Sequence, residues 1–390
     1  MRPMRDVLIV CPQARDVEAA LSARYRVRLE GPDLDAVDID PAGLVRELAA
    51  LPSDGVIGTK DRSALVAALV AERRGLPGPA PQAVVACQHK PTSRAIQQRV
   101  APDATPRFAL LDGPPPLPPP WFVKPVVGRL SQEARRVDDA SELAAVREEA
   151  RYRDGYAQIA TLAGLPHDIG HGFLVEELVE GDEVTLEGYI RRGSVTVIGV
   201  TDSVKYEGTN SFQRFEYPSG LEPARLRELT ALAERLVAAH GLDDCFFNIE
   251  FLVPGLGPPM IVEVNARIAS QFAPLVAAVD GRSTYEALFA LACGDDPKWT
   301  TAGHGVAISY VVRVFEDALV EAVPEPEPGL EILVRPGLLL SDQGTNDTAS
   351  YRLAIFTEHG STREEAVSRC LERAGSLRFE LESGAGGRSR

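Results

Sequence analysis

The sequence predicts an α/β region that gives way to α+β architecture, on three observations. Residues 1–88 alternate short apolar runs with helical periodicity, residues 173–297 carry paired strand signals around turns, and residues 298–390 mix strand patterns with one capped helix. In the first region, 7–10 reads as a buried strand, 17–24 as a helix and 25–29 as a second strand. Pro41 opens a helix through Leu51, 55–58 is a third strand, and 63–73 is a third helix ended by Gly75. A βαβαβα order implies an open parallel sheet. No G-x-G-x-x-G follows the first strand, so the dinucleotide fingerprint is absent and this region is expected to shape a substrate pocket.

The middle of the chain follows in order. A helical segment spans 89–100, and the proline run 112–120 is expected to be an extended polyproline connector. It leads into Trp121-Phe-Val-Lys124-Pro125, a short strand ending on a lysine, then a return strand by 137 and a helix over 141–151. Residues 173–181 form a strand running into a polar corner, and 183–190 with 195–201 form a hairpin. Pro223 sits in the first turn of a helix with Leu226, Leu229, Leu232, Leu236 and Val237 on one face, stopped by Gly241. After a second hairpin over 246–267 comes a helix near 283–293. The last region carries strands near 308–315, 331–334 and 351–356, a surface loop at 323–329 and a frayed tail from 383. A capping box at Ser361-Thr-Arg-Glu364 starts a helix that turns Ala366, Val367, Cys370 and Leu371 inward.

The bulk properties limit the function classes. A chain of 390 residues needs two to four packed units. The net charge of -15 argues against a general nucleic-acid surface, while leaving room for a local basic cleft. Cys11, Cys87, Cys245, Cys293 and Cys370 are scattered without a C-x-x-C, as in reduced core residues of a cytoplasmic protein. The opening apolar run is too short for a signal peptide, and no later run reaches spanning length, so a soluble protein without membrane attachment is expected.

The chemistry concentrates in the hairpin 246–267. Strand side chains alternate faces, so Phe247, Ile249, Phe251 and Val253 share one face and leave Asn248 and Glu250 on the other. On the return strand Met260, Val262, Val264 and Ala266 are apolar, opposite Glu263, Asn265 and Arg267. Oxygen ligands from neighbouring strands suit Mg2+, and the arginine suits a phosphate or carboxylate. On pattern alone, a half-solvated sheet with an acidic face is an equal reading.

Lys90, Lys124, the 176–183 stretch and the 250/263/265 trio, in this order and spacing, resemble the ATP-grasp superfamily over residues 89–297. The E-V-N-A-R run and the 201–221 stretch are most similar to its carbamoyl-phosphate-synthase-like branch, which includes the L-amino-acid (dipeptide) ligases. The resemblance implies four parts: a Rossmann-like domain (1–88), two ATP-grasp α+β subdomains (89–172 and 173–297) and a small α+β domain (298–390). It implies ATP and two Mg2+ ions, or Mn2+ in their place, with Glu250, Glu263 and Asn265 as metal ligands. Lys90 and Lys124 would contact the phosphates. Glu176 and Val179 would meet the adenine through backbone groups with Glu177 beside them, and Glu183 would accept from the ribose. Arg267 would touch the acyl phosphate or the carboxylate being activated, and Lys205 would reach the γ-phosphate or the substrate. The flap over the phosphates departs from the family, keeping only Gly128 and Ser131 of its small residues, with Arg129 as a substitute contact.

The implied activity is a carboxylate–amine ligase acting on small molecules, amino acids being the expected substrates, with a homodimer compatible with the C-terminal domain. Two alternatives stand beside it: a bicarbonate-activating enzyme, although Gln271 occupies the position of that group's glutamate base, and a nucleotide-binding protein without catalysis. Phe212, Arg214 and Tyr217, in the 204–220 loop, are candidate pocket residues.

Overall fold

The computed structural model describes residues 4–34, 39–128, 134–148, 154–166, 168, 172–301, 303–343 and 350–383. They fall into two compact units. One comprises Met1–Gly199, Leu221–Ser270 and Ser283–Thr300, the other Val200–Gly220, Gln271–Arg282 and Thr301–Arg390. In chain order the elements begin β1 (Asp6–Val10), α1 (Ala14–Ser22), β2 (Arg26–Glu30), α2 (Pro41–Ala49), β3 (Gly55–Ile57) and α3 (Asp61–Arg74). Next come α4 (Pro81–Gln88), α5 (Lys90–Val100), β4 (Phe108–Leu110), β5 (Trp121–Pro125), β6 (Arg135–Val137), α6 (Ala140–Glu148) and α7 (Asp154–Leu162). They continue as β7 (Phe173–Glu177), β8 (Asp182–Arg191), β9 (Ser194–Lys205), β10 (Phe212–Tyr217), α8 (Pro223–Ala239), β11 (Cys245–Val253) and β12 (Met260–Asn265). The remainder are α9 (Ala273–Asp280), α10 (Thr284–Ala292), β13 (Val306–Val314), β14 (Ala318–Ala322), β15 (Leu330–Ile332), β16 (Tyr351–Gly360), α11 (Arg363–Ser376) and β17 (Glu380–Ser383).

The first unit contains the expected parallel sheet, ordered β2-β1-β3, with the apolar residues of β1 fully buried. A four-stranded antiparallel sheet, β4-β7-β5-β6, encloses a core of Trp121, Val123, Val137, Leu143, Val146, Phe173 and Val175. The proline run before β5 is not the extended rod expected from composition. It bends repeatedly over 113–120, because Leu111 and Leu117 pack onto that core and the Leu117 carbonyl accepts the Trp121 indole N–H at 2.9 Å. Helices α4 and α7 were not anticipated. Neither carries a strong polar-to-apolar alternation, since most of α4 is buried.

The remaining strands of this unit run β12-β11-β8, followed by the first half of β9. Parity predicts Val262 on the apolar face of β12, and the structure corrects this. Glu250 pairs with Glu263, but Phe251 pairs with Ile261, so Val262 is the extra residue of a β-bulge. Ile261 therefore joins Val264, Ile249 and Phe251 in the core, all with no exposed surface, while Val262 is only half-buried.

In the second unit the end of β9 pairs with β10, then β13, β16 and β15 follow, all antiparallel. The stretch taken as a 204–220 loop is thus largely a hairpin, with its turn confined to 206–211. Tyr217 is buried and donates to Asp280 at 2.9 Å, and Arg214 is paired with Glu216 at 2.6 Å. Helix α11 covers Ile308, Tyr310 and Phe356 with Ala366 and Cys370. Its cap lies one residue later than the sequence implied: Thr362 accepts from the Glu365 N–H, and Glu365 accepts from the Ser361 N–H. Leu371 is about half exposed rather than inward. Strands β14 and β17 pair in a separate two-stranded sheet, and α9 packs on β13 and β10; none of the three was anticipated.

The bulge makes a prediction about stability. Ile261→Ala should cost about 2–5 kcal/mol in chemical denaturation, and Val262→Ala about 1 kcal/mol or less. The reverse order would place Val262 in the core and remove the bulge.

Candidate active site

The site lies in the first unit and begins with strand register. On β8, Glu183, Thr185 and Glu187 share a face, and they stand opposite Leu252, Glu250 and Asn248 of β11. Across the next pair, Glu250 faces Glu263 and Asn248 faces Asn265. Directly opposed residues of an antiparallel pair project to the same side. The sheet therefore carries one row of Thr185, Glu250 and Glu263, and a second of Glu187, Asn248 and Asn265. The Asn265 amide donates to Asn248 Oδ1 at 3.0 Å and to Glu250 Oε1 at 3.4 Å. Asn248 in turn donates to the Arg267 carbonyl at 2.9 Å.

Two lysines meet this face. Lys90, at the start of α5, reaches Glu263 Oε1 at 3.2 Å and donates to the Gly128 carbonyl at 3.2 Å. Lys124, near the end of β5, pairs with Glu176 Oε2 at 2.9 Å and donates to the Val262 carbonyl at 3.4 Å. Arg94, one helical turn beyond Lys90, grips both Glu176 oxygens at 2.5 and 3.1 Å and the same Val262 carbonyl at 3.0 Å. That carbonyl is available because its residue bulges out of the ladder.

The charges are unequally matched. Burial alone would raise the Glu176 carboxyl, but Arg94 and Lys124 hold it down at about 2. Burial, with repulsion from Arg94 and Lys90, lowers the Lys124 ammonium to about 8 despite Glu176. Of the two cations that hold Glu176 ionised, Arg94 has the larger influence. On the acidic rows the imbalance is reversed. Burial, then Glu263 and Glu183, push the Glu250 carboxyl up to about 8, although Arg267 opposes this. Burial pushes the Glu187 carboxyl up to about 8 as well. One of its oxygens accepts the Ala269 N–H at 2.7 Å and the other has no partner.

The remaining sequence-derived residues are placed as follows. Glu176 lies in β7 between β4 and β5, with strand pairing on both sides. The Glu177 carboxylate is engaged by Arg107 at 2.7 Å, Val179 follows the end of β7, and Glu183 is the second residue of β8. Arg267 is bonded to Asp61 at 2.5 Å. Lys205 ends β9 in the second unit, its ammonium 5.6 Å from the centre of the Phe212 ring. Ser131 and Arg129 lie outside the described residues. Sequence reading missed Arg94, Thr185, Glu187 and Asp61. The first was legible as the i+4 neighbour of Lys90, and the next two as period-2 partners of Glu183. Asp61 carried no signal.

Glu250 and Glu263 face each other across β11 and β12, with the Asn265 amide bonded to Glu250, so the row is rich in the oxygen donors that a hard divalent cation takes. Among the described residues no three acidic, histidine or cysteine side chains group as a metal cage. Mg2+ suits such a partial set because it retains waters and phosphate oxygens.

Comparison with known proteins places this geometry in context. Residues 117–274 match the ATP-grasp domain family. A D-alanine–D-alanine ligase of Porphyromonas gingivalis is 28% identical over 187 residues, which is 45% of this chain and 47% of the relative. The chain thus spans about half the length of that curated relative. Among solved structures, an L-amino acid ligase from Bacillus licheniformis superposes with a TM-score of 0.74 at 19% identity, covering 98% of this chain and all of that one (100%). A phosphoribosylglycinamide synthetase from Anaerococcus prevotii gives 0.68 at 14% identity, over 97% of this chain and 100% of that one. The biotin carboxylase domain of a Hydrogenobacter thermophilus 2-oxoglutarate carboxylase, bound to MgADP and bicarbonate, gives 0.71 at 14%, over 97% and 92%. These structural likenesses establish a shared fold.

The Glu176 network yields a stability test. Its lowered carboxyl contributes stability that is present above the usual carboxylate range and lost as pH falls from about 4.5 towards about 2. Glu176→Gln should cost about 3–5 kcal/mol at neutral pH, because it leaves buried cations without their counter-charge. The variant should also lose this part of the acid dependence in denaturation curves measured across that window.

Proposed function

The chain carries an ATP-grasp domain over residues 117–274, and from that premise we propose that it is an ATP-dependent carboxylate–amine ligase. In this reading ATP phosphorylates a carboxylate, an amine attacks the acyl phosphate, and ADP and phosphate leave as an amide forms. An amino acid is the proposed carboxylate substrate. The observation that supports this most is the pairing of an acidic face with adjoining cations: Glu250, Glu263 and Asn265 beside Lys90, Lys124 and Arg267. A binding protein has little use for both.

Lys124 and Lys90 would hold phosphate oxygens and exchange part of their present pairing with Glu176 and Glu263 for the nucleotide. Glu250, Glu263 and Asn265 would hold Mg2+, which when bound draws charge from the β- and γ-phosphates. Glu183, one row along the sheet from the metal ligands, would accept from the ribose, and the backbone around Val179 would meet the adenine. Arg267 would stabilise negative charge on the transferred phosphoryl group and then on the acyl phosphate. In the first step a carboxylate oxygen attacks the γ-phosphorus and the bond to the β-bridging oxygen breaks. In the second the amine nitrogen attacks the acyl carbon, phosphate departs with the bonding pair, and the amine loses a proton. Rate enhancement comes from alignment and charge neutralisation, with no covalent link to the protein.

ADP release across a panel of amino acids, singly and in pairs, tests the reading. Stimulation by pairs is expected. Stimulation by bicarbonate alone, or tight ATP binding without turnover, would replace it. Glu263→Gln should lower ADP formation by at least about a hundredfold with an unchanged circular dichroism spectrum. Wild-type turnover in that variant would remove the metal assignment.

A further inference from the structure

Arg267 is held in an unusual way for a residue that meets a ligand. Its guanidinium has five N–H donors. Nε donates to Asp61 Oδ1 at 2.5 Å and Nη2 to Asp61 Oδ2 at 3.5 Å, so one whole edge of the fork is taken. Nη1 donates to the Ile268 carbonyl at 3.3 Å. Two N–H groups are left, one on each terminal nitrogen. Both partners are only about a fifth exposed, 21% for Arg267 and 23% for Asp61.

The groups that hold this pair are themselves fixed. Asp61 opens α3 after a turn with no spare room: a Cβ at Gly58 would lie 2.1 Å from the Ser63 carbonyl oxygen. The Asp61 carbonyl accepts from the buried Gln88 amide at 2.6 Å. On the arginine side, Asn248 grips the Arg267 carbonyl and Glu187 grips the Ala269 N–H. Beyond it, Gln13 bonds Ser270 and Thr59 at 3.0 Å each. Thr59 and Tyr285 both donate to the buried Asp16 at 2.7 Å. The ends of β1 and β3 thus brace the segment 267–270 at several points.

We propose that Asp61 is a positioning residue which holds the Arg267 guanidinium so that its two terminal N–H groups form an end-on site for a tetrahedral oxyanion. Within the ligase reading, on which this rests, that oxyanion is the transferred phosphoryl group. Asp61 does not touch it. The carboxylate takes the edge of the fork that would otherwise engage a ligand sideways. A lysine at position 267 could not be oriented in this way, because an ammonium has no edge to grip.

Inorganic phosphate, titrated into the MgADP complex of the full chain, is a probe that requires no amino acid and no turnover. Asp61→Ala should weaken phosphate binding by about tenfold, the loss of one ordered charge-assisted contact, with MgADP affinity within about twofold of wild type. Asp61→Asn keeps the shape and one acceptor, so it should fall between the two and serves if the alanine variant does not fold. Equal phosphate affinity in wild type and the folded variant would overturn the proposal. So would parallel loss of MgADP and phosphate, or a wild-type MgADP complex that binds no phosphate. Failure of the ligase reading is recorded separately, as absence of amino-acid-stimulated ADP release in the wild type.

Discussion

Burying a cation is costly unless an opposite charge accompanies it, and the Arg94–Glu176–Lys124 group meets that constraint by drawing on three separate elements. Helix α5 supplies the arginine, β7 the glutamate and β5 the lysine, while the Val262 carbonyl of β12 accepts from both cations. None of the four groups would be stable in its place alone, since a buried unpaired charge is far costlier than the pair. The four-stranded sheet, the helix and the β11–β12 hairpin are therefore joined at one point, and Lys124 is tied to β12 as a consequence.

The acidic rows show the opposite economy. Burial drives the carboxyl groups of Glu250 and Glu187 upward, and at Glu250 the neighbouring Glu263 and Glu183 add to it. A fold selected for stability alone would avoid this arrangement. Its strain is relieved by what the ligase reading supplies, a divalent cation at Glu250 and Glu263.

Much of this was legible in the sequence. Period-2 alternation placed Asn248, Glu250, Glu263 and Asn265 together, and the strand ending on Lys124 marked a lysine that could not be an ordinary surface charge. The parallel order of the first domain followed from its strand and helix succession. What stayed hidden has a common physical cause: it depends on partners distant in sequence. The bulge at Val262 is a property of pairing, so no pattern within β12 could show that Ile261 takes the buried place. Asp61 meets Arg267 across 206 positions of chain. The bends in the proline run arise from packing of Leu111 and Leu117, which outweighs the extended preference of proline-rich chain.

The division of the second unit into the segments 200–220, 271–282 and 301–390 has a consequence during synthesis. Strand β10 has one neighbour, β9, already made when it leaves the ribosome, but its other neighbour, β13, begins only at Val306. At translation speeds of about 5–20 residues per second, the hairpin waits several seconds with one edge unpaired while α8, β11 and β12 are made. An open strand edge is a template for pairing with other chains. Arg214, in the middle of that edge and bonded to Glu216, puts a charge where an intruding strand would have to pack.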